Sequence, residues 1–421
     1  MNRIDENVLT KKEVIEHVEQ NRWKVIFGGF LLSLMGGMSY AWGSFVVPLT
    51  KDWGWTVAQA NLPFTVMIIV FAITMIPAGS IQDRIGPRKV AMVGAVIFFI
   101  GYGLAALLRF IPNPFWLVFT YGGMVGIACG LTYACIAPTA RKWYADRPGF
   151  AVSTAVMGFG LAAVVFAPFK KVMIDLWDVD GTLLILGIFV GFGALAGARL
   201  LRNPPDDWKV SIKPNKNNYN NRNYTEAKDM TPHEFIRTPM FYILWLALAA
   251  VIGGGLTAIG LITAYGEIEL KLNPASAAIA ISFYSLINGL GRPCVGWFAD
   301  RFGTIRVMKI VYVIQAIAFF ALPFFAKNLL TLIICSLLLG SGYAVTFALF
   351  PVVVAAGFGT KHLGINYGLV FSAFGLGAVT SLVGSWLLDT TGSFAPAFIL
   401  AGSTTLIGLL LLTILKRKLD I

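Results

Sequence analysis

Charge is scarce in this sequence. Asp, Glu, Lys and Arg make up 13% of its 421 residues, about half the ~25% usual in soluble chains, too little to cover a soluble fold of this size. Cysteine and histidine are rarer, with four and three copies, and no CxxC, HExxH or other metal-ligand spacing occurs. Cys129, Cys135, Cys294 and Cys335 all lie in apolar runs, so they read as small packing residues and not as a disulfide framework. His17, His233 and His362 fall in predicted loops. No nucleophile–base pair and no phosphate-binding loop is visible, so neither an enzyme nor a cofactor is expected. A secretory leader is not expected either. The stretch "MNRIDENVLTKKEVIEHVEQNRW" carries acids throughout and lacks both a short apolar core and a small-residue cleavage site.

What the sequence has in excess is apolar surface. Hydrophobic residues make up 57% of the chain and mean hydropathy is +0.74, so the surplus must face lipid. At ~20 apolar residues per membrane crossing, the length suits twelve helices. Charge and turn residues bound runs near 25–47, 62–82, 90–109, 114–139, 150–169, 181–201, 239–265, 275–298, 305–326, 329–354, 364–388 and 394–415. The third and fourth are joined by "FIPNP" and the ninth and tenth by "AKN", both tight hairpins. The fold class expected is an all-α membrane protein with twelve transmembrane helices in two six-helix bundles. Its parts are an N-terminal bundle over 1–201, a linker over 202–238 rich in Asn, Lys and Pro, and a C-terminal bundle over 239–421. Within the linker "TPHEF" carries the pattern of a short capped helix, Thr231 as cap and Glu234 at the capping-box position. Of the 33 Lys and Arg residues, 26 fall on the side shared by both termini and six on the other, Lys51, Arg109, Lys170, Lys171, Lys271 and Lys327. This bias places both termini in the cytoplasm of a cell-membrane protein. It also accounts for a net charge of +12 with no nucleic-acid partner.

The chain repeats itself across the linker. "GSIQDRIGPRKV" starts at Gly79 after the second span, and "GWFADRFGTIRV" starts at Gly296 after the eighth, 217 residues later. Both read G-x-x-x-D-R-x-G, giving Gly79, Asp83, Arg84 and Gly86 in one copy and Gly296, Asp300, Arg301 and Gly303 in the other. The first Gly permits close helix approach, the Asp can cap a neighbouring helix N-terminus, and the Arg can pair across the loop. Together they form a latch that stabilises one conformation of the bundle; a plain basic turn is the competing reading. Six plus six spans, a central linker and this duplicated loop resemble the major facilitator superfamily. That resemblance implies two halves rocking around a site near the bilayer midplane, and transport by alternating access.

One Lys or Arg lies on neither side: Arg292, about 12 Å along the helix axis from Asp300. A charge at such depth costs at least ~2.5 kcal/mol, so it must face a polar cavity, a counter-ion or a substrate. Eight residues is long for snorkelling to the interface. The equivalent position in the first half is Met75, so packing alone does not demand an Arg. No Asp or Glu lies comparably deep in any predicted span, Glu267 and Glu269 falling close to the outer surface. The guanidinium fork suits a carboxylate bidentately. Asn288, one turn earlier on the same face, is placed to bind the same ligand, to hold the guanidinium, or to make a helix contact. Tyr133 in the fourth span and Tyr343 in the tenth stand at corresponding points of the two halves. Their hydroxyls suit a substrate hydroxyl or carbonyl. Phe347, one turn beyond Tyr343, and Tyr40 and Trp42 in "MGGMSYAWGSFVVPL" are further candidates for the cavity lining, with core packing the competing role of each.

At these residues the resemblance narrows. "SYAWGSFVVPL", "TYACIAPTARKWYADRPGFA" and the eighth-span Arg are similar to the monocarboxylate porter family, in particular its bacterial branch of oxalate/formate antiporters and lactate transporters. The resemblance implies that Arg292 contacts the substrate carboxylate. Mammalian members carry an Asp one turn before that Arg, where this chain has Asn288. The oxalate/formate antiporter has a second deep cation, a Lys in the eleventh span, where this chain reads "SAFG" with Phe374. A dianion facing one Arg leaves a negative charge unbalanced. At an effective dielectric near 20 and about 4 Å that forgoes ~4 kcal/mol, roughly a thousandfold in affinity. A small monocarboxylate, L-lactate or pyruvate, is therefore the expected substrate, with proton symport implied by resemblance alone. The alternatives are oxalate/formate or other organic-anion exchange, and, more remotely, a membrane sensor that binds a carboxylate without moving it. A monomer is expected.

Overall fold

Inside a bilayer an apolar segment can satisfy its backbone groups by helical hydrogen bonds, and this chain is helical almost wherever it is apolar. The structure is a computed structural model that describes residues 22–205 and 229–419. Its helices are α1 (residues 23–51), α2 (Val57–Ile85), α3 (Pro87–Arg109), α4 (Pro114–Trp143), α5 (148–176), α6 (179–200), α7 (Pro239–Glu269), α8 (Pro274–Phe302), α9 (Thr304–Phe325), α10 (Leu329–Phe358), α11 (Leu363–Leu388) and α12 (Ala395–Leu419). Among the described residues ten helical segments are long and apolar enough to cross a membrane, so the protein passes through the membrane many times. The two predicted spans outside those ten are α1 and α8, and each departs for a visible reason. The first is broken: Trp23–Gly37 gives way to a 3-10 turn, Met38–Ala41, before Gly43–Lys51. The second carries serines, Asn288 and Arg292 along one face.

Other irregularities sit in the helices that face the centre. Val118–Val125 in α4 and Tyr265–Glu269 at the end of α7 are π-helical, a rare geometry that is frequent at functional sites. In α11, Leu363–Phe371 and Ala373–Thr391 are separated at Ser372. Between Pro239 and the described end of the linker lies the short helix Pro232–Ile236, with the reciprocal Thr231–Glu234 capping box that its sequence predicts. The rest of the predicted linker, 206–228, lies outside the described residues.

One sequence expectation fails here. Lys170 was expected in an exposed loop after the fifth span, but α5 continues to Trp177 and Asp178, where the backbone leaves the helical region. Lys170 is fully buried. Its ammonium donates to Met38 O at 2.8 Å and lies 5.1 Å from the centroid of the Phe45 ring. The break in α1 frees carbonyls at a helix C-terminus, where a cation is favoured, and the long lysine stem reaches down to them. The side chain of Lys171 lies outside the described residues.

Helices α1–α6 form one six-helix bundle and α7–α12 the other. The bundles meet where α5 packs along α8 and α2 along α11. Both contacts include close approaches at the end that carries the duplicated loops, Gly149 against Gly296 and Gly79 against Gly364.

Candidate functional site

Helix α8 positions the site. Ala278, Ile281 or Ser282, Ser285, Asn288 and Arg292 recur every three or four residues and so share one face. That face lines a cavity of about 720 Å³ between the bundles. The wall is completed by Gly43 and Ser44 of α1, Phe71, Tyr133, Phe159, Gly160 and Val164 of the first bundle, and Ile259, Thr263, Glu267, Tyr343 and Phe347 of the second. From Ala278 to Arg292 the stripe descends about 21 Å at 1.5 Å per residue, so the cavity runs from the end opposite the duplicated loops to the middle of the molecule.

Arg292 lies at the deep end, 2% exposed. It donates from Nε to Asn288 O at 2.9 Å, from Nη2 to Asn288 Oδ1 at 3.0 Å, and from Nη1 to Val156 O of α5 at 2.6 Å. Asn288 therefore holds the guanidinium while lining the same cavity. Phe347 lies under the guanidinium, 5.1 Å from Cζ to ring centroid. Tyr133 and Tyr343 both line the cavity and both are buried; the Tyr133 hydroxyl faces Arg292 and Tyr367, and the Tyr343 hydroxyl has no hydrogen-bond partner among the described residues. A buried phenol without a partner carries a desolvation cost of about 1–3 kcal/mol. The two rings, one from each bundle, stand in the wall of the cavity that holds Arg292, their hydroxyl oxygens covered in this conformation.

Below this polar layer the floor is aromatic. Phe71, Tyr133 and Phe159 of the first bundle contact one another at 5.0–5.9 Å between centroids. Phe371 joins them to the second bundle, 5.3 Å from Phe71 and 6.1 Å from Phe347. Phe374, where the sequence resemblance drew attention to a missing Lys, stacks on Phe371 at 5.6 Å as part of this floor. Of the two other candidates, the Tyr40 side chain lies outside the described residues. Trp42 does not line the cavity. It is buried in the first bundle against Tyr121, 4.3 Å between centroids, and donates to Ala60 O at 2.9 Å, because the 3-10 turn rotates it away from the centre.

The duplicated loops form two matching junctions. Gly149 N–H and Phe150 N–H, at the start of α5, donate to the two carboxylate oxygens of Asp300 at 2.7 and 2.8 Å. At the other junction Ile365 N–H, at the start of α11, donates to Asp83 at 3.2 Å. The glycines one turn before these acids permit the approach. A Cβ at Gly296 would stand 2.3 Å from Gly149 O, and one at Gly79 would stand 2.2 Å from Gly364 O. The closing glycines, Gly86 and Gly303, have φ of +92° and +98°, which side-chain-bearing residues avoid. The expectation that the loop arginines pair across the loop is not met. Arg84 and Arg301 are exposed and form no ion pair among the described residues. Arg301 instead lies over Trp297 and Phe302 at 5.6 and 5.7 Å, because the tight approach of the helices leaves no room for a guanidinium between them.

Residues 25–268 and 246–420 match the Major Facilitator Superfamily. The chain belongs to this superfamily. It is 26% identical over 399 residues to the oxalate:formate antiporter of Oxalobacter formigenes, covering 93% of this chain and 91% of the relative. Against monocarboxylate transporter 12 of Xenopus laevis it is 25% identical over 360 residues, with 81% and 76% covered. Among solved structures, the superfamily transporter FucP in an outward conformation superposes with a TM-score of 0.69 at 15% identity, covering 93% of this chain and 98% of that one. The major facilitator fold of two six-helix bundles follows, and the chain is a transporter and not an enzyme.

In this superfamily member several site residues were not foreseen. The charges that act on the junction acids come from the end of α4 and the neighbouring loops: Arg141 and Asp146 on Asp300, Lys142 and His362 on Asp83. Arg141 and Lys142 belong to "ARKWYADRPG". The same run also anchors Arg202 O through Trp143 Nε1 at 2.6 Å and binds Arg22 through Asp146 at 3.1 Å. Glu267 lines the outer part of the cavity, exposed, at a level the sequence had assigned to the membrane surface.

Proposed function

We propose that this chain is a secondary transporter of small monocarboxylates working by alternating access, with the substrate carboxylate on Arg292 and its tail against Phe347 and the aromatic floor. The observation that carries this reading is Arg292, a buried cation of α8 in the wall of the central cavity, beside the phenols of Tyr133 and Tyr343. A 2-hydroxy or 2-oxo acid such as L-lactate or pyruvate offers an oxygen next to its carboxylate for them. The relatedness to monocarboxylate transporters supports the substrate class. The duplicated junctions act as the latch of the state in which that end is closed. The uneven distribution of Lys and Arg supports a cytoplasmic location for that end and both termini, in the cell membrane, and the order of the helices supports bundles over 1–201 and 239–421 joined by a linker over 202–238. A monomer suffices, since the cavity is completed within one chain.

A second reading, oxalate/formate exchange, is favoured by the relatedness to the oxalate:formate antiporter. Against it stands the charge count of the lining, in which Arg292 is the cation and Glu267 the acid. The buried Lys170 does not supply the second charge, because its ammonium is spent on Met38 O and it does not line the cavity. The two readings separate in proteoliposomes that take up labelled L-lactate with and without an inward proton gradient. Uptake driven by the gradient, inhibited by pyruvate and not by oxalate, is the expected outcome. Exchange of external oxalate for internal formate with no lactate uptake would replace the first reading by the second.

A further inference from the structure

Tyr343 is seated in a notch made by one glycine. A Cβ added at Gly255 of α7 would stand 2.1 Å from Tyr343 Cδ2, 2.7 Å from Cε2 and 3.1 Å from Cγ. No carbon approaches a ring this closely, the favourable separation being about 3.5–4.0 Å. The same glycine is fixed from the other side, since the Tyr284 hydroxyl donates to Gly255 O at 3.1 Å. Around the Tyr343 ring stand the α7 backbone at Gly255, the Tyr284 ring at 6.0 Å between centroids, and the Phe347 ring at 4.9 Å. The remaining side is the cavity, which Tyr343 lines and Gly255 does not.

We infer that Gly255 is a specificity-determining residue: by letting the Tyr343 ring sink against α7, it sets the length of the tail that a carboxylate at Arg292 can carry. The inference rests on the monocarboxylate reading. A methyl group at residue 255 forces the ring away from α7 by on the order of 1.5 Å to regain ordinary contact, and the open direction is toward the substrate. That displacement is close to one carbon–carbon bond, so the accepted tail shortens by about one carbon. In an apolar pocket one methylene alters discrimination by roughly 10–200-fold.

The test uses the full chain in proteoliposomes and three 2-hydroxy acids of increasing tail, glycolate, L-lactate and L-2-hydroxybutyrate. The common head group cancels in ratios of transport efficiency, leaving the tail. Gly255→Ala is expected to raise the glycolate-to-hydroxybutyrate ratio at least tenfold, and Gly255→Ala with Tyr343→Leu to bring it back to the wild-type value or below. An unchanged ratio in a Gly255→Ala protein that still transports glycolate overturns the inference, as does failure of the double variant to reverse the shift. If Gly255→Ala does not fold, Tyr343→Leu alone must lower the ratio, and no change there is equally fatal. A wild-type protein that transports none of the three acids sinks the functional reading itself, a different result from transport without a shift.

Discussion

Tyr133 and Tyr343 line the cavity of Arg292 from the two bundles. The Tyr343 hydroxyl has no hydrogen-bond partner among the described residues and that of Tyr133 faces Arg292 and Tyr367, so on the proposed function their removal is expected to weaken substrate binding more than the fold. Tyr133→Phe and Tyr343→Phe should each lower the affinity for L-lactate about fivefold, corresponding to ~1 kcal/mol for one neutral hydrogen bond, with the thermal midpoint unchanged or raised. A drop in thermal midpoint with unaltered affinity would mean that the hydroxyls serve the fold. Arg292 was legible in the sequence because a charge stands out in an apolar run and the repeat supplied a comparison, Met75. Asn288 was legible only as a choice among roles, and its two bonds to the guanidinium decide for one of them. Gly255 carried no signal, since its value lies in the ring of Tyr343, 88 residues away in the chain.

At the scale of elements, the pairs α5–α8 and α2–α11 are the moving joints of the account. Each begins with a carboxylate on the N-terminus of a helix, an interaction of about 0.3–1 kcal/mol from the helix dipole reinforced by charge-assisted bonds of ~1.5–3 kcal/mol. Asp300→Ala removes both at one joint while leaving the cavity untouched. Its expected effect is a shift of at least tenfold toward the state open at that end, read as a longer distance between spin labels on the latched ends of α5 and α8. Unchanged distances with and without substrate would show that the junction is a turn and not a latch. The sequence told the Asp and Gly roles because both depend on local geometry, a capped N-terminus and a close backbone. It misjudged the Arg, whose partner depends on how two helices from different bundles meet. The break in α1 was equally hidden: "GGMSYAWG" has no proline, and its 3-10 turn is held by Lys170 from another helix.

For the whole molecule, composition and the duplicated loop were sufficient to place twelve spans and two bundles, since a bilayer leaves few alternatives to helices. Ten of the spans match in hydropathy. The two that do not are the broken α1 and the polar α8, and both contribute to the lining of the cavity, α8 with the face that carries Arg292. The direction in which the cavity opens could not be derived from sequence, because it depends on which pair of bundle ends is in contact. In this conformation the ends with the duplicated loops are joined and the cavity reaches toward the opposite ends.

The central claim is that Arg292 holds the substrate carboxylate. The most direct measurement is counterflow of labelled L-lactate in proteoliposomes, comparing wild type, Arg292→Lys and Arg292→Gln at matched insertion. The account predicts rapid counterflow by wild type, none by Arg292→Gln, and a strongly raised half-saturation for Arg292→Lys, whose point charge lacks the planar fork. Wild-type rates in Arg292→Gln would contradict it.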